Sequence, residues 1–220
     1  TLAAAAKAVK PGDTVNLLSG IYKERLICNV EGVTWQAAAG QWPVLDGGWQ
    51  DTVETNYAAW LQVPAEGVTV RGLTVRNVAG RGIGVTASNV RILDCRVDRT
   101  YYGGIKIGDS TKAAISGVEV RGNVFTRMSL SWVTEKNPTN VDGNFNIHNV
   151  KDSIVADNIL SDGWGEGINI GRCSTNVEVS NNIIHSTNHV LLYFNRCQNC
   201  VVKGNWLYHI PDPAYGGKDG

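Results

Sequence analysis

The chain has 220 residues, enough to bury a sizeable core, and its 20 Lys and Arg balance 20 Asp and Glu. A net charge of zero excludes the evenly basic or acidic surface that would point to nucleic acid or an anionic membrane, so any charged site must be local. Helix formers thin out after the first ten residues, Val, Ile, Asn and Gly take over, and no apolar run nears the ~20 residues of a membrane helix, so a β-rich chain with no helical span is expected.

The chain opens at Thr1 with neither Met nor a charged-then-apolar leader, and therefore reads as a processed or trimmed product. Residues 2–9, Ala-rich, predict a short helix; Pro11, Gly12 and Asp13 then predict a turn, and "TVNLLSGIYKERL" begins a first coil of strands. "GVTWQAAAGQWPVLDGG" at 32–48 reads as the next coil. From there a repeat governs the chain. "GVTVRGLTV" from Gly67, "NVRILDCRV" from Asn89, "GVEVRGNVF" from Gly117, "DSIVADNIL" from Asp152, "NVEVSNNII" from Asn176 and "NCVVKGNWL" from Asn199 align, with steps of 22, 28, 35, 24 and 23 residues.

Each of the first five copies is followed by a third short alternating strand: "IGV" at 83–85, "IKI" at 105–107, "FNI" at 145–147, "INI" at 168–170 and "LYF" at 192–194. Three short strands per coil predict a solenoid in which equivalent residues of successive coils lie ~4.8 Å apart. One column, Leu73, Cys95, Asn123, Asn158, Asn182 and Asn205, falls in the turn between the first two strands. Its asparagines are expected to hydrogen-bond along the stack in a purely structural role. Two insertions break the period. Residues 46–60 carry Trp49, Tyr57 and Trp60, and residues 126–144 carry Trp132, Glu135 and Lys136. Loops of this length are more often functional than not, and their rings either stack on sugar faces or, as the commoner case, pack the insertions onto the coil. The chain ends on "YGGKDG" with no visible cap, so the natural protein is expected to continue or to be closed by a partner.

On the helix at 2–9, the Pro-Gly-Asp turn and the coil repeat, the chain resembles the right-handed parallel β-helix proteins of the pectate-lyase-like superfamily. The resemblance implies one all-β domain over 1–220, a right-handed parallel β-helix of about 7–8 coils capped by that helix. It also implies a substrate groove floored by the third strand of each coil, and a secreted, extracellular or periplasmic setting.

Pleat alternation turns the middle residue of each third-strand triplet outward, giving the column Gln62, Gly84, Lys106, Asn146, Asn169 and Tyr193. Two residues on, a second outward column holds Pro64, Thr86, Gly108, His148, Gly171 and Asn195; Asp109, Asn149, Arg172 and Arg196 follow where the strand turns away. Glu166 and His189 precede their strands. This collection suits β-elimination on a uronate-containing polysaccharide. Lys106 or His148 would serve as base, Tyr193 or His148 as acid, and Arg172 and Arg196 would neutralise the carboxylate. Asn146, Asn169, Glu166, His189 and Trp132 would bind substrate. No cofactor is demanded; Ca²⁺ is the one alternative, with Glu166, Asp109 and Asp142 as sparse donors.

Glycoside hydrolysis ranks second among enzymes, because no carboxylate pair lies on neighbouring coils. Outside enzymes, a non-catalytic carbohydrate-binding or adhesin-like β-helix module remains, favoured by the lack of a complete catalytic signature. The expected partner in either case is a glycan, most plainly an acidic polysaccharide. Of the five cysteines, Cys173 and Cys197 are vertical neighbours at disulfide range, ladder packing explains them equally well, and Cys200 is expected to point into the core.

Overall fold

The computed structural model describes residues 1–49, 58–131 and 143–210. It opens on helix α1 (Leu2–Ala8), whose alanines cost little to hold helical. The Thr1 hydroxyl caps it by accepting from the Ala4 N–H at 3.2 Å, and extended Val9 ends it one residue earlier than expected. Leu2 is the residue the helix buries, in contact with the apolar interior of the first coil.

Beyond the helix the chain winds through about seven turns of a parallel β-helix, and every strand pairs in parallel with its equivalents one coil below and above. The first sheet runs Thr14–Leu17, Thr34–Ala37, Thr69–Arg71, Arg91–Leu93, Glu119–Arg121, Val150–Ala156, Thr175–Ser180 and Val201–Lys203, with Ile115–Ser116 paired to its side. The second runs Gly20–Tyr22, Pro43–Asp46, Thr74–Val78, Arg96–Thr100, Val124–Thr126, Ile159–Ser161, Ile183–His185 and Trp206–Tyr208. The third, which we call the groove sheet, runs Leu26–Ile27, Ala59–Val63, Arg81–Val85, Ile105–Ile107, Phe145–His148, Ile168–Gly171 and Leu192–Asn195.

The repeat read from sequence is the observed register. Thr69, Arg91, Glu119, Ile154, Glu178 and Val201, each two residues past an aligned start, pair in succession. The aligned starts themselves share a backbone requirement. Gly67, Asn89, Gly117, Asp152, Asn176 and Asn199 all have φ between 47° and 69°, in the left-handed region that Gly, Asn and Asp tolerate best. The corner between first and second sheets repeats the device with Gly72, Asp94, Gly122, Asp157, Asn181 and Gly204. These two columns punctuate every coil, and they explain why those three residue types recur at that spacing.

Inside, the groove sheet contributes stacked rows such as Ile83, Ile105, Phe145 and Ile168, all buried. Asn123 Nδ2 donates to Asn158 Oδ1, Asn158 Nδ2 to Asn182 Oδ1, and Asn182 Nδ2 to Asn205 Oδ1, each at 2.9 Å. Each of these oxygens also accepts the backbone N–H of the Asn one coil below. In the last described coil the inward residues are open: Phe194, Val202 and Leu207 are 37–44% exposed, since no described strand stacks above them.

All five cysteines are free. Cys173 and Cys197 lie one coil apart, as their place after Gly171 and Asn195 requires, but no disulfide joins them. Cys200 points inward and packs against the core as expected, but it is only half-buried, because no described strand stacks above it. Burial pushes the Cys95 thiol up to about 12, out of the reactive range, whereas Cys173 is exposed. A titration with a thiol reagent under denaturing conditions, without reductant, should therefore count five thiols, and the native protein should lose Cys173 first. A count of three would restore a disulfide.

Candidate functional site

The outward column of the groove sheet lies as alternation dictates. Gln62 pairs with Gly84, Gly84 with Lys106, Lys106 with Asn146, Asn146 with Asn169, and Asn169 with Tyr193. In the neighbouring column His148 pairs with Gly171, and Gly171 with Asn195. Each strand puts its inward Ile, Val or Phe into the core and thereby fixes the outward side chain over the groove.

Three depressions follow one another along this face. The lower, about 220 Å³, is lined by Gln62, Arg81, Gly84, Thr86, Lys106 and Asp109 among others. The middle one, about 330 Å³ and mostly polar, is lined by Lys106, Asn146, His148, Glu166, Asn169, Gly171, Arg172, Tyr193 and Asn195. The third, about 450 Å³, sits where the strands turn away and is lined by Ser110, Arg172, Cys173, Asn195 and Arg196. Lys106 joins the first two; Arg172 and Asn195 join the last two.

The middle depression gathers most of the side chains singled out from sequence. Three stand apart. His189 is exposed and does not line it, Arg196 belongs only to the third depression, and Trp132 lies outside the described residues, as do Glu135, Lys136, Tyr57 and Asp142. Two others face it with their polar groups engaged. Asn146 is 2% exposed and donates to the Gly143 carbonyl at 2.8 Å, while the Asn169 amide donates to the Glu166 carboxylate.

Electrostatics single out His148. Burial, with the charges of Arg172 and Lys106 behind it and Arg81 adding to them, lowers its pKa to about 4, against the pull of Asp109. At neutral pH it is an uncharged imidazole flanked by cations. Asp109 is held below the usual carboxylate range by the Thr111 N–H and hydroxyl, at 2.9 and 2.8 Å, with help from Lys106 and Lys112.

The low pKa of His148 ties stability to pH. The unfolded chain takes up this proton near 6.5 and the folded chain resists until about 4, so between those values unfolding binds a proton. Stability contributed by the neutral ring is thus complete above about 6.5 and is lost as pH falls toward 4. Denaturant midpoints across this window should rise with pH, and His148→Gln should flatten the slope; an unchanged slope would show that the ring is solvated.

The described insertion residues pack onto the coil. Trp49 is buried, meets Tyr101 edge-on at 5.4 Å, and lies 4.6 Å beneath the Arg99 guanidinium. Trp60 packs against the core with Arg25 5.4 Å over its ring. Asp109 and Glu166 sit two coils apart, about 10 Å along the axis, and at opposite ends of their strands, unlike a hydrolase pair across one bond. No three His, Cys, Asp or Glu among the described residues converge as a metal site, and Asp142, the third expected Ca²⁺ donor, lies outside them.

Two participants escaped the sequence reading. Arg81 opens its strand outside the alternating triplet, yet it lines the groove and acts on His148. Ser110 accepts from Arg172 Nη1 at 3.1 Å from a turn two coils below. Alternation back from Gly84 points to Gly82 and passes over Arg81, and nothing periodic marks Ser110.

Residues 59–216 match the family model described as a right handed beta helix region. No curated protein matches the chain. Among solved structures, a GH136 lacto-N-biosidase from Eubacterium ramulus superposes with a TM-score of 0.56 at 12% identity, over 95% of this chain and 52% of the other. The pectate lyase Pel9A superposes with a TM-score of 0.57 at 16% identity, over 84% of this chain and 48% of the other. The chain thus spans about half the length of either structure, and at such identities the likeness is one of fold.

Proposed function

The chain belongs to the right-handed β-helix family, and from that premise we propose that its groove sheet binds an acidic polysaccharide and cleaves it by β-elimination. The observation that carries this reading is a neutral, half-buried imidazole set beside Lys106 and Arg172 in one open depression, with Arg81 in the adjoining one. Cations beside a neutral base suit a substrate whose acidic C–H lies next to a carboxylate. They draw the carboxylate in and stabilise the negative charge that spreads onto it as the proton leaves.

In this mechanism Lys106 and Arg172 hold the uronate carboxylate, and His148 takes the proton from the carbon beside it. The electron pair of that C–H bond forms the new double bond, the bond to the glycosidic oxygen breaks, and Tyr193 protonates the departing oxygen. Tyr193 recovers its proton through solvent from the imidazolium. Asn169, steadied by Glu166, and Asn146 orient sugar hydroxyls. Such a substrate places the protein outside the cell or in the periplasm. No helix among the described residues is long and apolar enough to cross a membrane.

The test is incubation with alginate, polygalacturonate and chondroitin while following the ultraviolet absorbance of the unsaturated product. New absorbance with one of them supports the lyase. Tight binding without product would replace it with the glycan-binding module, and neither binding nor product would remove both.

A further inference from the structure

The two arginines that sequence places together, Arg172 and Arg196, do not share one depression on equal terms. Arg172 reaches both the middle depression and the one at the strand-end turn, whereas Arg196 faces only the latter. That outer depression also receives the Ser110 hydroxyl, the Asn195 side chain and the exposed Cys173. None of the described residues lining it is a carboxylate.

Three observations converge here. First, Arg172 and Arg196 are one coil apart, so two like charges stand about 4.8 Å apart at the backbone. Second, neither has a carboxylate partner among the described residues; Arg172 meets only Ser110. On the first sheet, by contrast, Arg71 pairs with Asp94, Arg91 with Glu119 and Lys203 with Glu178. Third, both arginines occupy left-handed backbone, φ 52° and 56°, at a corner where Gly, Asn or Asp would cost less. Arg99 and Arg127 tolerate the same conformation in another column, but one stacks on Trp49 and the other pairs with Asp98. Repulsion and an unfavourable backbone at two successive coils, with hydroxyl and amide donors beside them, describe a preorganised oxyanion fork.

We propose that this outer depression is a second anion site, which takes the sulfate or carboxylate of the sugar next to the one held at Lys106 and His148. The inference rests on the groove reading above and narrows its substrate class. The preferred glycan carries anionic groups on adjacent sugars, either as consecutive uronates or as a uronate beside a sulfated sugar. A chain in which uronates alternate with neutral sugars leaves the second site unfilled.

Calorimetric titration with three size-matched oligosaccharides tests this: unsulfated chondroitin, sulfated chondroitin and oligogalacturonate. The wild-type protein should bind at least one of the latter two about tenfold more tightly than unsulfated chondroitin, and which of them does so identifies the source of the anion. Arg196→Gln should bring that ratio toward one while leaving the affinity for unsulfated chondroitin in place. Equal affinities for all three ligands in the wild type, or a ratio unchanged by Arg196→Gln, would overturn the second site and leave the groove reading standing. If the wild type binds none of the three, this site is overturned, and the groove reading falls with it only if alginate too shows neither binding nor product.

Discussion

Replacing His148 with Ala is expected to lower the elimination rate by about 10²–10⁴-fold, the range over which a positioned general base contributes. The free-protein pKa of about 4 makes His148 fully deprotonated at neutral pH but intrinsically a weak base. Substrate changes that balance. A carboxylate held between Lys106 and Arg172 cancels two of the charges that depress the imidazole, so its pKa must climb as the complex forms. The acid limb of kcat should therefore lie at higher pH than that of kcat/KM, which reports the free protein and should fall near 4. Arg172→Gln should move the kcat/KM limb upward, though only in part, because burial rather than charge is the main cause of the depression. A residue that merely held the groove in shape would lower the rate without moving either limb. Activity indifferent to His148→Ala would send the chemistry to another face.

Much of this arrangement could be read before any coordinates, and the reason is periodicity. Lys106, Asn146, Asn169 and Tyr193 stack as expected because a strand has only two faces, and the buried Ile105, Phe145 and Ile168 with half-buried Leu192 leave no choice of register. Gly, Asn and Asp at the left-handed corners mark where each coil begins. What could not be read lies where the chain leaves the period. The engagement of Asn146 by Gly143, the reach of Arg172 to Ser110 and the division of the two arginines between depressions all depend on turns whose paths no repeat dictates. Trp49 illustrates the same limit: its partners Tyr101 and Arg99 come from a coil some fifty residues later.

The stack itself should be most sensitive at its interior asparagines, and Asn158→Ala is expected to destabilise by about 2–4 kcal/mol, since each buried group left unpaired costs ~1–3 kcal/mol. Asn158 Oδ1 accepts both the backbone N–H and the side-chain amide of Asn123, at 3.0 and 2.9 Å. Its Nδ2 donates to the Val120 carbonyl and to Asn182 Oδ1. Truncation strands the Asn123 N–H in a site with no solvent exposure and leaves a void the size of an amide between fixed coils. Asn205, at the top of the column, is half-buried, and its Oδ1 serves Asn182 in the same way. Water can reach that level, so Asn205→Ala should cost less than half as much. Denaturant midpoints for the two variants, compared with Asn158→Asp, separate the causes. Aspartate keeps the acceptor for Asn123 but loses the donor to Asn182 and buries a charge, so it should be at least as damaging as alanine. Equal costs for Asn158→Ala and Asn205→Ala would mean that the column is paired but not sealed. Its hydrogen bonds would then follow from the coil geometry, and apolar stacking alone would hold successive turns together.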